Sequence, residues 1–184
     1  MGTNDKKKTS RPMKKGQFLA PERSKALNSA MELFFFAHQR LVMESDEILA
    51  SLSLGRVHHR ILYFIAHRKG ITISDLLLIL NVSRQGLHRP LKQLIDVGYV
   101  ASTPTPQNRR VHFLTLTTRG AMLESKISGM QKAMLHDVFA ACSPESEMHW
   151  RKVMALLGGR PPEEESVPEE NEADQATAPQ HAGK

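Results

Sequence analysis

The segment on which the architecture rests reads Ser83-Arg-Gln-Gly-Leu-His-Arg-Pro-Leu-Lys-Gln-Leu-Ile-Asp-Val97, and a hairpin with the tip Gln107-Asn-Arg-Arg110 follows it. Its apolar residues recur at helical spacing and predict one buried helix face, formed by Leu87, Leu91, Leu94 and Ile95. The opposite face carries side chains that suit DNA phosphates and base edges, namely Arg84, Gln85, His88, Arg89, Lys92 and Gln93. We therefore interpret this helix and its hairpin as a unit that binds duplex DNA.

The residues before this helix complete a helix-turn-helix pattern. Thr72 followed by Asp75 matches a capping box and opens a short helix. A tight turn, Asn81-Val-Ser83, comes next, and Ser83 is a natural N-cap for the basic helix. Two short helices joined by such a turn, the second of them basic, predict a helix-turn-helix.

Glycines mark the ends of the neighbouring elements. Residues 55–69 predict a helix that Gly70 stops, and Gly98 ends the basic helix. Residues 99–103 and 111–117 then alternate as two strands of a half-buried hairpin. The helix-turn-helix is thus followed by a wing.

Two residues are unusual inside the basic helix. The ring of Pro90 would crowd the carbonyl group of Gly86, four residues earlier. We expect a kink at this point, which would alter how the helix enters a groove.

Long helical patterns flank the winged region. Residues 23–53 contain apolar residues seven apart, which suits a seam against another helix, at Leu27, Phe34, Leu41 and Ile48. Residues 120–158 hold a second long pattern and a shorter helix that begins at Ser143. Because additional apolar residues widen the first stripe, we expect an interface between subunits. A core within one chain is the alternative.

Charge is distributed unevenly along the chain, whose total is +6. Residues 54–119 carry ten Lys/Arg and two acidic residues, as is typical of a nucleic-acid footprint. The basic segment 1–22 and the acidic segment 159–184 are too polar to form a core, so we expect disordered tails. The basic tail is either solubilising or an arm that attracts DNA.

Other classes of protein find little support. No apolar run reaches the roughly 18 residues that a membrane span needs, and no apolar secretion signal is present, which favours the cytoplasm. We find no phosphate loop and no nucleophile paired with a base, so neither an enzyme nor a cofactor is expected. His58, His59 and His67 do not suggest a metal site, because the adjacent pair points to different helix faces. Cys142 is either a redox sensor or, as we expect, a buried or half-buried structural cysteine.

The order of these elements resembles the MarR family of winged-helix transcriptional regulators over residues 25–157. The motifs that carry the resemblance are Gly70-Ile-Thr-Ile-Ser-Asp-Leu77, Asn81-Val-Ser-Arg-Gln85, Leu91-Lys-Gln-Leu-Ile-Asp-Val-Gly-Tyr-Val100, Asn108-Arg-Arg110 and Leu114-Thr-Leu-Thr-Thr-Arg-Gly120. The resemblance implies a mainly α (α+β) fold. It also implies that residues 54–119 form the winged helix-turn-helix domain and that residues 23–53 and 120–158 form a helical dimerisation region.

The same resemblance implies an obligate homodimer that binds a pseudo-palindromic operator as a repressor or activator. A small aromatic or anionic effector often modulates such regulators. The family's wing has an aspartate at its start and another before the paired basic residues, where this chain has Thr105 and Asn108. The bracing ion pair to Arg110 cannot form with these residues, so Arg110 is free for phosphate or the wing is looser.

Position within the unit assigns roles to the predicted contacts. Base edges are expected to meet the start of the helix, at Ser83, Arg84, Gln85 and His88. Phosphates suit Arg89 and Lys92, and an adjacent minor groove suits the hairpin tip, at Asn108, Arg109 and Arg110. The alternative function is a winged-helix module that binds another protein and not specific DNA.

Overall fold

The computed structural model describes residues 19–105, 108 and 111–159. These residues fall into two compact units, 19–141 and 142–159. The first unit contains α1 (Pro21–Ser51), α2 (Arg56–His67), α3 (Ile73–Leu80), α4 (Arg84–Asp96), β1 (Val100–Pro104), β2 (His112–Leu116) and α5 (Thr118–Ala140). The second contains α6 (Pro144–Leu157). This is the predicted mainly helical architecture with a two-stranded wing. Arg109, Arg110 and the greater part of both predicted tails lie outside the described residues.

Local caps build the helix-turn-helix. Thr72 Oγ1 accepts a hydrogen bond from Asp75 N at 3.3 Å, and Asp75 Oδ2 accepts one from Thr72 N at 2.8 Å. Hydrogen bonds from Thr72 hold the pKa of the Asp75 carboxyl group below its usual value. The chain turns at Asn81, whose φ of 50° is left-handed. Ser83 Oγ then caps α4 by accepting from Gly86 N at 3.1 Å. The predicted capping box and N-cap are confirmed.

The wing is an antiparallel hairpin. Its register runs from Val100 opposite Leu116 to Pro104 opposite His112. Leu114 N also donates to Ile71 O at 2.9 Å, which ties the wing to the segment just before α3. The turns expected at Gly70 and Gly98 are present, and their φ angles of 69° and 76° favour glycine.

One apolar core holds the C-terminal end of α1, the helices α2, α3, α4 and α5, and the wing together. Its fully buried side chains are Leu49, Ile61, Leu62, Leu76, Leu87, Leu94, Leu114 and Ile127. Each buried side chain of this kind contributes roughly 1.5–3 kcal/mol relative to exposure. The core therefore fixes α4 from behind and leaves its other face in solvent.

One residue of α4 was assigned to the wrong face. We expected Ile95 to be buried, but 36% of its surface is exposed. Pro90 is buried instead, together with Leu87, Leu91 and Leu94. These four form the stripe that faces the core, and Ile95 lies past its edge. The helix continues through Pro90, and the kink expected there stays a prediction.

The cap of α5 also fixes the corner between α4 and the wing. Thr117 Oγ1 accepts a hydrogen bond from Gly120 N at 3.1 Å and donates one to Gly98 O at 2.7 Å. The first turn of α5 is therefore held against the chain segment that leaves α4.

The N-terminal part of α1 is exposed. The helix begins at Pro21, inside the segment 1–22 that we had assigned to a disordered tail. Apart from the half-buried Leu27, every side chain from residue 21 to residue 40 is exposed. The intrachain core that we kept as an alternative therefore does not cover this part of α1. No helix among the described residues is both long and apolar enough to cross a membrane.

The second unit contains no buried helical side chain. Apolar residues of α6 are open to solvent, including Leu156 and Leu157 at 67% and 69% exposure. Ser143 precedes the helix as predicted, but its side chain meets Ser146 Oγ at 3.1 Å and makes no backbone cap. Cys142 is exposed, so our expectation of a buried or half-buried cysteine was wrong.

Candidate nucleic-acid interface

The solvent-facing side of α4 brings together the helical residues predicted to contact DNA. All six are exposed, namely Ser83, Arg84, Gln85, His88, Arg89 and Lys92. The N-terminal end of the helix dipole adds a partial positive charge beside them. This face can therefore attract phosphates and also offer side-chain hydrogen bonds to base edges.

Lys92 has an acidic neighbour on the same helix. Its Nζ atom lies 2.6 Å from Asp96 Oδ2, and both side chains are more than half exposed, at 62% and 56%. Exposed pairs of this kind contribute little to stability. Lys92 can therefore leave Asp96 and bind a DNA phosphate with little loss of folding free energy.

Gln93 does not belong to the DNA-facing set in which we placed it. Its Nε2 atom donates to Ser53 O at 3.0 Å, and its Oε1 atom lies 3.1 Å from His58 Nε2. Both partners belong to the start of α2 or the loop before it. Helical spacing places Gln93 at the border between the two faces, and partners this far away in sequence leave no local signal.

The wing turn has its own hydrogen bonds in place of the family's aspartates. Thr105 is buried, and its Oγ1 atom donates to Asn108 O at 2.9 Å and accepts from Asn108 N at 3.2 Å. Thr105 N also donates to Val111 O at 2.8 Å. The described part of the turn is therefore ordered by a threonine. Arg109 and Arg110, predicted at the tip, lie outside the described residues.

Arg119 fixes the corner between α4 and the wing. Its guanidinium carbon lies 4.6 Å from the centroid of the Tyr99 ring, and Nη1 donates to Val97 O at 3.1 Å. We had counted this arginine only as part of the positive charge of the winged region. In the structure its role is to hold the chain between α4 and β1.

The adjacent histidines of α2 face different neighbours, as we expected. His58 points to α4, whereas His59 Nε2 lies 3.4 Å from Ser128 Oγ on α5. Ser128 Oγ in turn donates to Glu124 Oε1 at 2.5 Å. Burial lowers the pKa of His59, and the nearby Glu124 carboxylate offsets this only in part. His59 is therefore a neutral link between α2 and α5 near pH 7.

Comparison with known proteins agrees with this arrangement. Residues 52–111 match the model of the MarR family. The chain is 34% identical over 131 residues to the HTH-type transcriptional regulator PetP of Rhodobacter capsulatus. The matched region covers 71% of this chain and 79% of that protein.

Solved structures share the fold. AbsC, a MarR family transcriptional regulator from Streptomyces coelicolor, matches with a TM-score of 0.61 at 18% sequence identity. The match covers 78% of this chain and 97% of the AbsC chain. The S. aureus MepR–DNA complex has a TM-score of 0.59 at 16% identity, with 70% and 96% of the two chains covered.

Proposed function

This chain belongs to the MarR family of transcriptional regulators, and from that membership we propose that it binds a pseudo-palindromic duplex site as a homodimer. It is a DNA-binding regulator and not an enzyme. In the proposed complex α4 lies in the major groove and the wing reaches the adjacent minor groove. The observation that carries this proposal is the exposed polar face of α4 on a helix whose opposite face is buried in the core.

Each exposed residue type suits one part of the duplex. Arg84 and Gln85 occupy the first turn of α4, and their side chains match guanine and adenine, respectively, by paired hydrogen bonds. Arg89 and Lys92 lie further along the helix and suit phosphates. The N-terminal turn would therefore select sequence, while the later residues would hold the helix in register.

A second copy of the chain is proposed to cover the exposed apolar residues of α1 and α6. Phe34, Phe35 and Phe36 are 53%, 62% and 62% exposed, and Trp150 on α6 is 43% exposed. Large exposed apolar side chains such as these mark an interface on α1 and, separately, on α6. The seven-residue spacing of the stripe on α1 suits another helix. Twofold symmetry would place two α4 helices one helical turn of DNA apart.

Three further features of the proposal rest on the family resemblance and on the sequence. We propose that a small aromatic or anionic effector modulates DNA binding, and that the protein acts as a repressor in the cytoplasm.

Selection of bound sites from random duplexes tests the proposal. The full chain would be incubated with a library at 50 mM salt, and the recovered sites would be sequenced. We expect two inverted half-sites about 10 base pairs apart, centre to centre. Light scattering on the free protein should give the mass of a dimer. Recovery of no common sequence, or a monomer that binds one half-site, would contradict the proposal.

The rival function, a protein-interaction module, makes a different prediction. Such a module would not require duplex DNA, and its charged face would only keep it in solution. A regulator should instead lose affinity for DNA as salt rises, with a slope set by the number of phosphates contacted. A chain that ignores duplex DNA at 50 mM salt would favour the rival.

A further inference from the structure

We propose that His58 and Gln93 are positioning residues that set the orientation of α4 and thereby the sequence specificity of DNA binding. This inference rests on the proposed function, because it presumes that α4 contacts base edges. His58 was not among the residues expected to touch DNA, and the hydrogen bonds of Gln93 remove it from that set. Together with Gly55 and Ser53 they form a hydrogen-bonded clasp between α4 and the loop that joins α1 to α2.

The directions of the hydrogen bonds in the clasp follow from its geometry. Gly55 N donates to His58 Nδ1 at 2.9 Å, so Nδ1 must be an acceptor. A neutral imidazole then carries its proton on Nε2, which lies 3.1 Å from Gln93 Oε1 and donates to it. The Gln93 amide group finally donates from Nε2 to Ser53 O at 3.0 Å. Each donor in this series of three hydrogen bonds therefore meets an acceptor.

The clasp joins a buried side chain to backbone groups at the ends of two helices. His58 is only 9% exposed, and Gly55 is the N-cap of α2. Ser53 has a left-handed φ of 57° in the turn that ends α1, and its N atom donates to Ala50 O at 3.0 Å. The clasp therefore links the end of α1, the start of α2 and the C-terminal half of α4.

The C-terminal half of α4 has a particular need for such a link. Pro90 has no backbone N–H, so the helix lacks the hydrogen bond that would join this position to Gly86. The leucines behind α4 pack without strong directional preference, whereas hydrogen bonds fix an angle. A small rotation of α4 would move Arg84 and Gln85 relative to base edges. The clasp therefore bears on sequence discrimination more than on general affinity.

Two substitutions of His58 separate positioning from folding. In His58→Asn the amide oxygen takes the place of Nδ1, so the bond from Gly55 N is kept and the bond to Gln93 is lost. In His58→Gln the amide nitrogen takes the place of Nε2, so Gln93 is still reached and the bond from Gly55 N is lost. Gln93→Met keeps the length of the side chain and removes both of its hydrogen bonds.

Gln131→Met provides a matched control. Gln131 Nε2 donates to Ser45 Oγ at 3.1 Å and joins α5 to α1, and neither residue belongs to α4. This substitution removes an interhelical hydrogen bond of the same type. Any effect on DNA binding that follows from losing such a bond anywhere in the fold should therefore also appear in Gln131→Met.

The experiment measures the affinity of each full-length variant for a selected site and for a scrambled duplex, together with thermal unfolding. We expect Gln93→Met and His58→Asn, which both remove the hydrogen bond between His58 and Gln93, to lower the ratio of the two affinities roughly tenfold. We expect His58→Gln to retain most of the preference for the selected site but to unfold at a lower temperature than the wild type. Gln131→Met should retain the wild-type ratio of the two affinities.

Two results would overturn the inference. One is an unchanged ratio in Gln93→Met and His58→Asn, and the other is an equal fall in Gln131→Met. If the proposed function itself were wrong, the wild-type chain would show no preference for any duplex, which distinguishes that outcome from these two.

Discussion

Gly120 lies against the backbone of Tyr99, and a Cβ atom on Gly120 would stand 2.0 Å from the Tyr99 carbonyl oxygen. The obstacle is backbone and not a flexible side chain, so it cannot swing aside. This contact places the start of α5 directly on the corner between α4 and the wing. The geometry of the DNA-binding unit therefore depends on a residue outside it.

Gly120→Ala should destabilise the protein strongly. Relief of the clash requires a backbone shift, and overpacking of this kind costs about 1–3 kcal/mol or more. Gly129→Ala is the control, because nothing lies within 4 Å of the Cβ position at Gly129 in the same helix. That substitution should stabilise by about 0.5–1 kcal/mol. Urea unfolding of both variants measures the difference, and similar stabilities would contradict the close contact.

The link between α2 and α5 should make stability depend on pH. Because burial lowers the pKa of His59 below its ordinary value of 6.5, the folded state binds this proton less readily than the unfolded chain does. The contribution of neutral His59 to the free energy of unfolding should therefore be fully present above pH 6.5. It should be lost as the pH falls below 6.5 towards the lower pKa of the folded state. Unfolding by urea between about pH 5 and 8 tests this window.

His59→Gln should flatten that dependence, because glutamine does not titrate and its amide can still reach Ser128. The exposed His136 offers a control, since His136→Gln should leave the slope as in the wild type. Equal slopes in the two variants would show that His59 is not the group responsible.

The ion pair on α4 should tune general affinity for DNA. Lys92→Ala removes a cation from the face and should weaken binding to all duplexes alike while reducing the salt slope by about one. Asp96→Asn frees Lys92 from its partner at 2.6 Å and should strengthen binding to all duplexes. Salt titrations with specific and scrambled DNA measure both effects. A change confined to the specific site would mean that Lys92 contacts a base.

The threonine in the wing turn should keep the hairpin ordered. Thr105→Val preserves shape but removes both hydrogen bonds to Asn108, each worth about 1 kcal/mol. The amide hydrogen of Val111, which donates to Asn108 O, should then exchange faster with solvent. Thr103→Val on the exposed side of β1 is the control. Unchanged exchange in Thr105→Val would mean that the turn is held by other contacts.

Features with local causes were predictable from the sequence. The capping box of Thr72 and Asp75, the N-cap at Ser83 and the turn at Gly98 each depend on residues within one helical turn. Their signals are therefore complete in a short segment, and the helix-turn-helix followed from them. The exposed face of α4 followed in the same way from helical spacing.

Features that depend on distant neighbours were not predictable. Gln93 was assigned to the DNA face because nothing near it in sequence indicates His58 and Ser53. Ile95 lies at the edge of the helical stripe, where spacing alone does not distinguish buried from exposed. The demand for glycine at position 120 arises only because α5 meets Tyr99. In each case the deciding partner is brought close by the tertiary fold.

The central claim is that the exposed face of α4 distinguishes one DNA sequence from another. Its most direct test is equilibrium binding of wild-type chain and Arg84→Ala to a selected site and to a scrambled duplex of equal length. We predict that the wild type prefers the selected site by about a thousandfold or more. Arg84→Ala should lose about 1–3 kcal/mol on that site, relax the preference at one base pair, and change little on the scrambled duplex. Equal losses on both duplexes, or a wild-type preference near one, would contradict the claim.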